Sequence, residues 1–215
     1  MSEAQDLRGL FGAAKHQGNR STCVAFAATA CHEASCGGDS DFAEEAVYWG
    51  ALQIEGPGDG ISFYGAGLTL GLNGQPDSAA WPYSGELDVS ADDYGPPGTA
   101  EACRPWRTCV FGRVAVVIDE FKKSLTKGVP VSIMIPMFTE FWDPVSGEIV
   151  APDNPDFIDG NHAIVLVGYD EAGKRFLFRN SWGEDWGDRG HAHIAYEFIA
   201  NYALDAAIVL RSPIP

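Results

Sequence analysis

The segment NSWGEDWGDRG, residues 180–190, contains two tryptophans and three glycines directly after an apolar run. That run, GKRFLFRNS at 173–181, alternates apolar and polar residues, which predicts a half-buried strand. Before it, HAIVLVGYD at 162–170 is rich in β-branched residues, and the turn residues EAG join the two segments. The pattern predicts a β-hairpin that brings His162 and Asn180 together at one end of a sheet.

The rest of the second half also predicts strands, at GRVAVVI (112–118), VPVSIMI (129–135), RGHAHIAYEFI (189–199) and YALDAAIVL (202–210). A helix, DEFKKSLTKG at 119–128, interrupts them. The first half differs, with helices predicted from Cys23 to about Ser35, in SDFAEEAVYWGAL (40–52) with Asp41 as N-cap, and after a Ser62 cap. Residues 74–112 are interpreted as irregular. We therefore predict an α+β chain of one catalytic unit, with a mostly helical lobe at 1–110 and a mostly antiparallel β lobe at 111–215.

Composition and net charge argue against some classes of binding partner. Hydrophobic residues make up 46% of the 215 residues, enough for a packed core, and the formal net charge of −16 repels phosphate backbones. We expect no nucleic-acid partner, and no membrane partner, because no apolar run approaches the ~18 residues of a spanning helix. The start, MSEAQDLRGLFG, lacks a basic region followed by an apolar region. No secretory signal is therefore expected, which favours the cytoplasm if residue 1 is the natural start.

Five cysteines, an odd number, fit one functional thiol plus four others. Those four, at positions 31, 36, 103 and 109, form two disulfides or stay reduced, and the sequence leaves both states open. No C-x₂-C pair occurs, so neither a metal site nor another cofactor is expected.

The stretch HQGNRSTCVAFAATA, residues 16–30, places Cys23 at the head of the first predicted helix. A helix N-terminus and an adjacent imidazolium both lower a thiol pKa, which makes the sulfur nucleophilic. His162 would supply that imidazolium and later protonate a leaving amine, while Asn180 orients the ring. The backbone N–H of Cys23 and the side-chain amide of Gln17 would bind the oxyanion. These four residues predict covalent acyl chemistry.

In this order, Gln17, Cys23, His162 and the Asn180 block resemble the papain-like cysteine peptidases. The resemblance implies a papain-like two-lobed fold, with a helical N-terminal lobe, an antiparallel β-barrel-like C-terminal lobe and the active site in the cleft between them. It also implies hydrolysis of peptide bonds through a thiolate–imidazolium pair and an acyl-enzyme. One block departs from the family: residues 20–24 read RSTCV where CGSCW is usual, so Arg20 replaces a cysteine that is normally disulfide-bonded.

The family resemblance further implies a substrate site. Gly60 would approach the peptide backbone, Met134 and Gly160 would line a roomy apolar pocket, and Asn161 would belong to the backbone-binding wall. Trp182 would border the cleft and shield the His–Asn hydrogen bond from water. The expected partners are a peptide or protein substrate and a separate inhibitor or regulatory protein. Two alternatives stay open: acyl transfer or restricted exopeptidase action on the same triad, and a non-catalytic peptide-binding relative.

Overall fold

The computed structural model describes residues 3–87, 89–90, 93–144, 147–149 and 157–211, with side chains for all of these except 157–159 and 211. The helices are α1 (Cys23–Ser35), α2 (Glu44–Glu55), α3 (Phe63–Leu72), α4 (Gly98–Glu101), α5 (Ile118–Thr126) and α6 (Tyr196–Tyr202). The strands are β1 (Ala4–Asp6), β2 (Val110–Arg113), β3 (Val131–Phe138), β4 (Glu148–Ile149), β5 (Phe157–Asp170), β6 (Arg175–Arg179), β7 (His191–Ala195) and β8 (Asp205–Arg211).

The strands form one eight-stranded sheet in the order β2-β8-β3-β5-β6-β7-β4, and β1 pairs with β5 outside this path. Strands β5 and β6 pair antiparallel, with Val165 opposite Arg179, which confirms the predicted hairpin. Within the described residues the two ends of the strand order do not pair, so the sheet is open. The α+β class is confirmed, whereas the barrel-like description is too specific because a barrel closes its edges.

Helix α1 begins at Cys23, as its Ala-rich sequence predicts, and its apolar residues lie in the core against β5 and β3. Ser132 of β3 faces this helix, since its hydroxyl donates to the Ala27 carbonyl and lies 3.2 Å from the Cys31 sulfur. Its neighbours Val131 and Ile133 are fully buried on the opposite face of the strand. The middle of α1 is thus held against the centre of the sheet.

The structure confirms one local prediction and corrects three others. Ser62 does cap α3, because its hydroxyl accepts from the Gly65 N–H. Asp41 does not cap α2: the N-cap is Ala43, and the Asp41 carboxylate instead contacts Lys15 and Ser78. The predicted strand at 112–118 ends at Arg113, and the strand at 189–199 gives way to helix α6. In both cases an apolar run fits a buried helix or loop as well as a strand, and packing decides.

The division of the chain at residue 110 stays a prediction. Pairing is antiparallel except between β4 and β7, which run parallel over two residues. In the part of the chain that the structure describes, no helix has the length and apolar character to cross a membrane.

Helix α1 carries a buried imidazole. His32 of α1 is 0% exposed and stacks on Phe42, with ring centroids 4.4 Å apart. Gln75 Nε2 donates to Thr29 and to the Ala43 carbonyl, so its Oε1, 2.8 Å from His32 Nδ1, must accept. His32 is therefore neutral with its proton on Nδ1, and burial lowers its pKa to about 4.

We expect His32 to contribute a fall in the free energy of unfolding as the pH drops from about 6.5 to about 4, because the unfolded chain binds a proton at His32 that the folded chain excludes. Between these two pH values His32 should lower the free energy of unfolding by about 3 kcal/mol. Urea denaturation at a series of pH values measures this loss. In the variant His32→Asn the free energy of unfolding should depend less steeply on pH, whatever the absolute stability of the variant. An unchanged slope would contradict the assignment of His32 as a buried neutral imidazole.

Candidate active site

The Cys23 thiol lies at the N-terminus of α1 and faces the sheet. The backbone N–H groups of Ala163, which directly follows His162, and of Val24 and Cys23 lie close enough to the sulfur to stabilise negative charge on it. Burial raises the pKa of the thiol, and these three N–H donors oppose that shift by stabilising negative charge on sulfur. Helix α1 therefore presents the sulfur to the strand that carries His162.

His162 lies at 4% exposure on β5, with Nε2 2.7 Å from Asn180 Oδ1. That oxygen also accepts from the Ser181 backbone N–H at 2.8 Å, which fixes the orientation of the amide. His162 Nε2 must therefore carry a proton, and Nδ1 is the nitrogen that can take one from a thiol. Burial lowers the pKa of His162 to about 4, while the bond to Asn180 opposes that shift.

The two pKa shifts have a joint meaning. Burial disfavours charge on either group alone, thiolate on Cys23 or imidazolium on His162. Proton transfer from sulfur to Nδ1 creates both charges together, and their attraction in a low-dielectric site offsets the cost of each. Proton transfer within the pair would therefore cost less than ionisation of either group alone.

Aromatic rings enclose the imidazole. Trp182 lies on His162 with centroids 4.9 Å apart, and Phe141 meets the same ring at 5.8 Å. Trp142, which is 57% exposed, stacks on Trp182 at 4.8 Å with an 8° interplanar angle. These rings keep water away from the His162–Asn180 hydrogen bond, which strengthens it. Trp142 carries no motif, and sequence analysis missed it.

Gln17 is buried beside the thiol, and its amide orientation is fixed by its partners. Its Nε2 donates to the Arg20 carbonyl at 2.8 Å, and its Oε1 accepts from the Ser181 hydroxyl at 2.6 Å. A primary amide has two N–H donors, so one remains to serve an oxyanion in the cleft. Tyr83 donates its hydroxyl to the Gln17 carbonyl, which further holds this loop.

A cleft of about 630 Å³ connects these groups. Eight of the nine residues predicted for the site line this cleft: Gln17, Cys23, Gly60, Met134, Gly160, Asn161, His162 and Trp182. The ninth, Asn180, lies behind His162 and contacts its ring. Asp59, Met137 and Trp142 also line it, although the sequence analysis did not select them. The structure thus brings the predicted residues together, and their roles stay predictions.

Charged side chains surround a cavity of about 20 Å³ behind Asn180, which has room for about one water molecule. Lys15 Nζ lies 2.7 Å from Glu44 and 3.1 Å from Glu33, and the Arg179 guanidinium donates to two backbone carbonyls. Burial raises the pKa of Glu44 to about 7, against the attraction of Lys15. The Asn180 Nδ2 group has no partner among the described atoms, and it borders the same cavity.

Arg20, at the position where the resemblance implies a disulfide cysteine, forms a buried ion pair. Its guanidinium, 10% exposed, contacts both carboxylate oxygens of Glu45 on α2, which is 0% exposed. It also donates to the Ser84 carbonyl at 2.7 Å and lies about 5 Å from the rings of Tyr48 and Tyr83. All five cysteines are free thiols, so the ion pair is what joins this loop to α2.

Comparison with known proteins bears on the whole arrangement. A family model described as papain family cysteine protease matches residues 73–210, a span that includes His162 and Asn180. The chain belongs to the papain family. Mouse cathepsin K is 32% identical over 126 residues, which are 57% of this chain and 36% of that protein. Thiol protease aleurain of Arabidopsis thaliana is 30% identical over 216 residues, 89% of this chain and 55% of that protein.

This papain-family chain thus spans between about a third and about half of the length of these curated relatives. Among solved structures, xylellain, a cysteine protease from Xylella fastidiosa, superposes with a TM-score of 0.83 at 23% identity. The match covers 100% of this chain and 87% of that one. The superposition establishes that the fold is papain-like.

We expect Glu45→Gln to lower the free energy of unfolding by about 3–5 kcal/mol, because it leaves the Arg20 charge buried without its partner. The double variant Arg20→Met with Glu45→Leu should cost less than the single one, since neither charge then needs desolvation. Urea denaturation of the three proteins measures the difference. As a control, Glu101→Gln breaks the exposed Glu101–Arg104 pair and should change stability little. Equal losses in the single and double variants would contradict the expectation.

Proposed function

We propose that the chain hydrolyses peptide bonds with Cys23 as the nucleophile. The observation that carries the proposal is the placement of one sulfur and one imidazole on the same cleft. Cys23 and His162 line the same cleft, and His162 has its Nε2 committed to Asn180. Only Nδ1 of that ring can then exchange a proton with the thiol.

The steps follow from these positions. His162 Nδ1 takes the proton of Cys23, and the sulfur forms a bond to the substrate carbonyl carbon. The carbonyl oxygen becomes an oxyanion, which accepts from the Cys23 backbone N–H and the second Nε2–H of Gln17. The oxyanion collapses, the carbon–nitrogen bond breaks, and His162 returns its proton to the leaving amine. Water then attacks the acyl-enzyme with the same imidazole as base, the carbon–sulfur bond breaks, His162 returns the proton to the Cys23 sulfur, and the acid is released.

We infer that the substrate lies along the cleft beside Gly60. This glycine has a φ of +97°, and a Cβ there would come within 3.3 Å of the Ser21 carbonyl oxygen. The absence of a side chain keeps the backbone open to an extended peptide, which would pair with it as a strand does. Met134 and Gly160 border the same cleft and support an apolar pocket for a large side chain, with Asn161 beside them. A peptide-like inhibitor or a regulatory protein would occupy the same groove.

Fluorogenic peptides with a large apolar residue second from the cleaved bond test the proposal. Wild type should hydrolyse them, and Cys23→Ala should not. Gln17→Ala should lower kcat by about 10²–10³, because it removes one oxyanion donor. Cys103→Ala, at an exposed thiol outside the cleft, is the matched control and should retain full activity.

Three results separate the alternatives. Transfer of the acyl group to an added amine in preference to water would indicate an acyl transferase. Cleavage only at the peptide termini would indicate an exopeptidase. Peptide binding without turnover, together with no pH-dependent alkylation of Cys23 by iodoacetamide, would indicate a binding module and overturn the proposal.

A further inference from the structure

The side-chain amide of Asn180 is paired at one end. Its Oδ1 lies 2.7 Å from His162 Nε2 and accepts from the Ser181 backbone N–H. Its Nδ2, at the other end of the same planar group, is buried and has no hydrogen-bond partner among the described atoms. Asn180 is only 3% exposed, and a buried donor left unpaired costs the free energy of its lost hydration. Because buried polar groups are nearly always paired, a partner for Nδ2 is expected inside the protein.

The cavity behind Asn180 has the size and the lining for that partner. Its volume is about 20 Å³. A water molecule needs about 10–15 Å³ of such space and two to four polar neighbours. Asn180 shares the cavity wall with the side chains of Lys15, Arg179, Glu33 and Glu44. Apolar cavities stay dry, whereas a polar cavity of this size suits one water molecule.

The charges around the cavity favour a neutral guest over an ion. Lys15 Nζ lies 3.1 Å from Glu33 and 2.7 Å from Glu44. The Arg179 guanidinium donates to two backbone carbonyls, and the negative charges of Glu33 and Glu44 oppose the lowering of its pKa by burial. Two positive side chains thus stand against two carboxylates. An ion added among them would upset this balance and carry a large desolvation cost.

Of the two carboxylates, Glu44 has more capacity to accept another hydrogen bond. Glu33 Oε1 already accepts from the Phe42 backbone N–H and from Lys15. The Glu44 carboxylate, 3% exposed, accepts from Lys15 through its Oε1. An ionised carboxylate offers about four lone-pair sites, so Glu44 can also accept from a water in the cavity.

We propose that one water molecule occupies this cavity and joins Asn180 Nδ2 to the Glu44 carboxylate, which makes Glu44 a positioning residue for the catalytic amide. This inference rests on the proposed peptidase function and extends its machinery inward by one layer. The water accepts from Nδ2 and donates to Glu44. Hydrogen bonds in a chain polarise one another, so the bond at Nδ2 makes Oδ1 a stronger acceptor. His162 is then held with its proton on Nε2 and with Nδ1 free to take the thiol proton.

A crystal structure that shows ordered water tests the site directly. It should place one water within about 3.2 Å of both Asn180 Nδ2 and a Glu44 carboxylate oxygen. The variant Ala30→Val adds two methyl groups to the cavity wall and should exclude the water. Its kcat on the fluorogenic peptide should fall by about three- to tenfold, the equivalent of one hydrogen bond, with KM within about twofold. Ala34→Val is the matched control, since Ala34 is equally buried on the same helix but does not line the cavity. Its kcat should stay within about twofold of wild type.

A second pair of variants tests the carboxylate. Glu44→Leu cannot accept from the water and should lower kcat as Ala30→Val does, while Lys15 keeps Glu33 and Asp41 as partners. Glu44→Gln should restore most of this loss, because its amide oxygen can still accept. If Ala30→Val does not fold, the Glu44 pair and the crystal structure decide.

Three results would overturn the inference. Density without a water at Nδ2 removes the site. Equal losses in Ala30→Val and Ala34→Val would reduce the effect to packing of α1. A Glu44→Gln variant as slow as Glu44→Leu would show that charge acts there without the hydrogen bond. A wild type that hydrolyses no peptide would refute the peptidase function instead, and the crystal structure would still decide on the water.

Discussion

The contact between the N-terminus of α1 and strand β5 is the constraint on which the site depends. Through it the Cys23 sulfur comes beside the backbone of Ala163, the residue that directly follows His162. The contact is maintained by core packing of the helix on β3 and β5, including the Ser132 hydroxyl that donates to the Ala27 carbonyl. Because interiors pack at crystal-like density, the helix cannot shift without repacking the centre of the sheet.

Aromatic rings and paired charged side chains surround this contact. The rings of Phe141 and Trp182 exclude water from the His162–Asn180 hydrogen bond. Behind Asn180, the buried carboxylates of Glu33 and Glu44 pair with Lys15, whose side chain is 32% exposed. A buried carboxylate stabilises a site only when it is paired, because alone it carries a large desolvation cost. Burial lowers the pKa of His162 to about 4, which keeps the imidazole neutral before proton transfer.

The loop before the nucleophile is held by polar contacts where the family resemblance leads one to expect a disulfide. Arg20 makes two contacts there. Its guanidinium binds the Glu45 carboxylate, and its backbone carbonyl orients the Gln17 amide. A cysteine at this position would keep the backbone carbonyl but would lose the ion pair with Glu45. The positive charge of the Arg20 side chain is neutralised by Glu45 in the helical lobe.

The sequence by itself determined the elements whose signals are local. The β5–β6 hairpin follows from alternation around a turn, the start of α1 at Cys23 from an Ala-rich run after a loop, and the Ser62 cap from a hydroxyl before an apolar helix. The block at 180–190 also selected Asn180, because its Trp and Gly spacing lies within one short segment. Tertiary structure alone decided the parallel β4–β7 pair, the stacking of Trp142, the Arg20–Glu45 pair and the Asp59–Ser21 bond. Each joins residues far apart in the chain, and such contacts leave no periodicity in the sequence, since they form only when packing brings the two segments together.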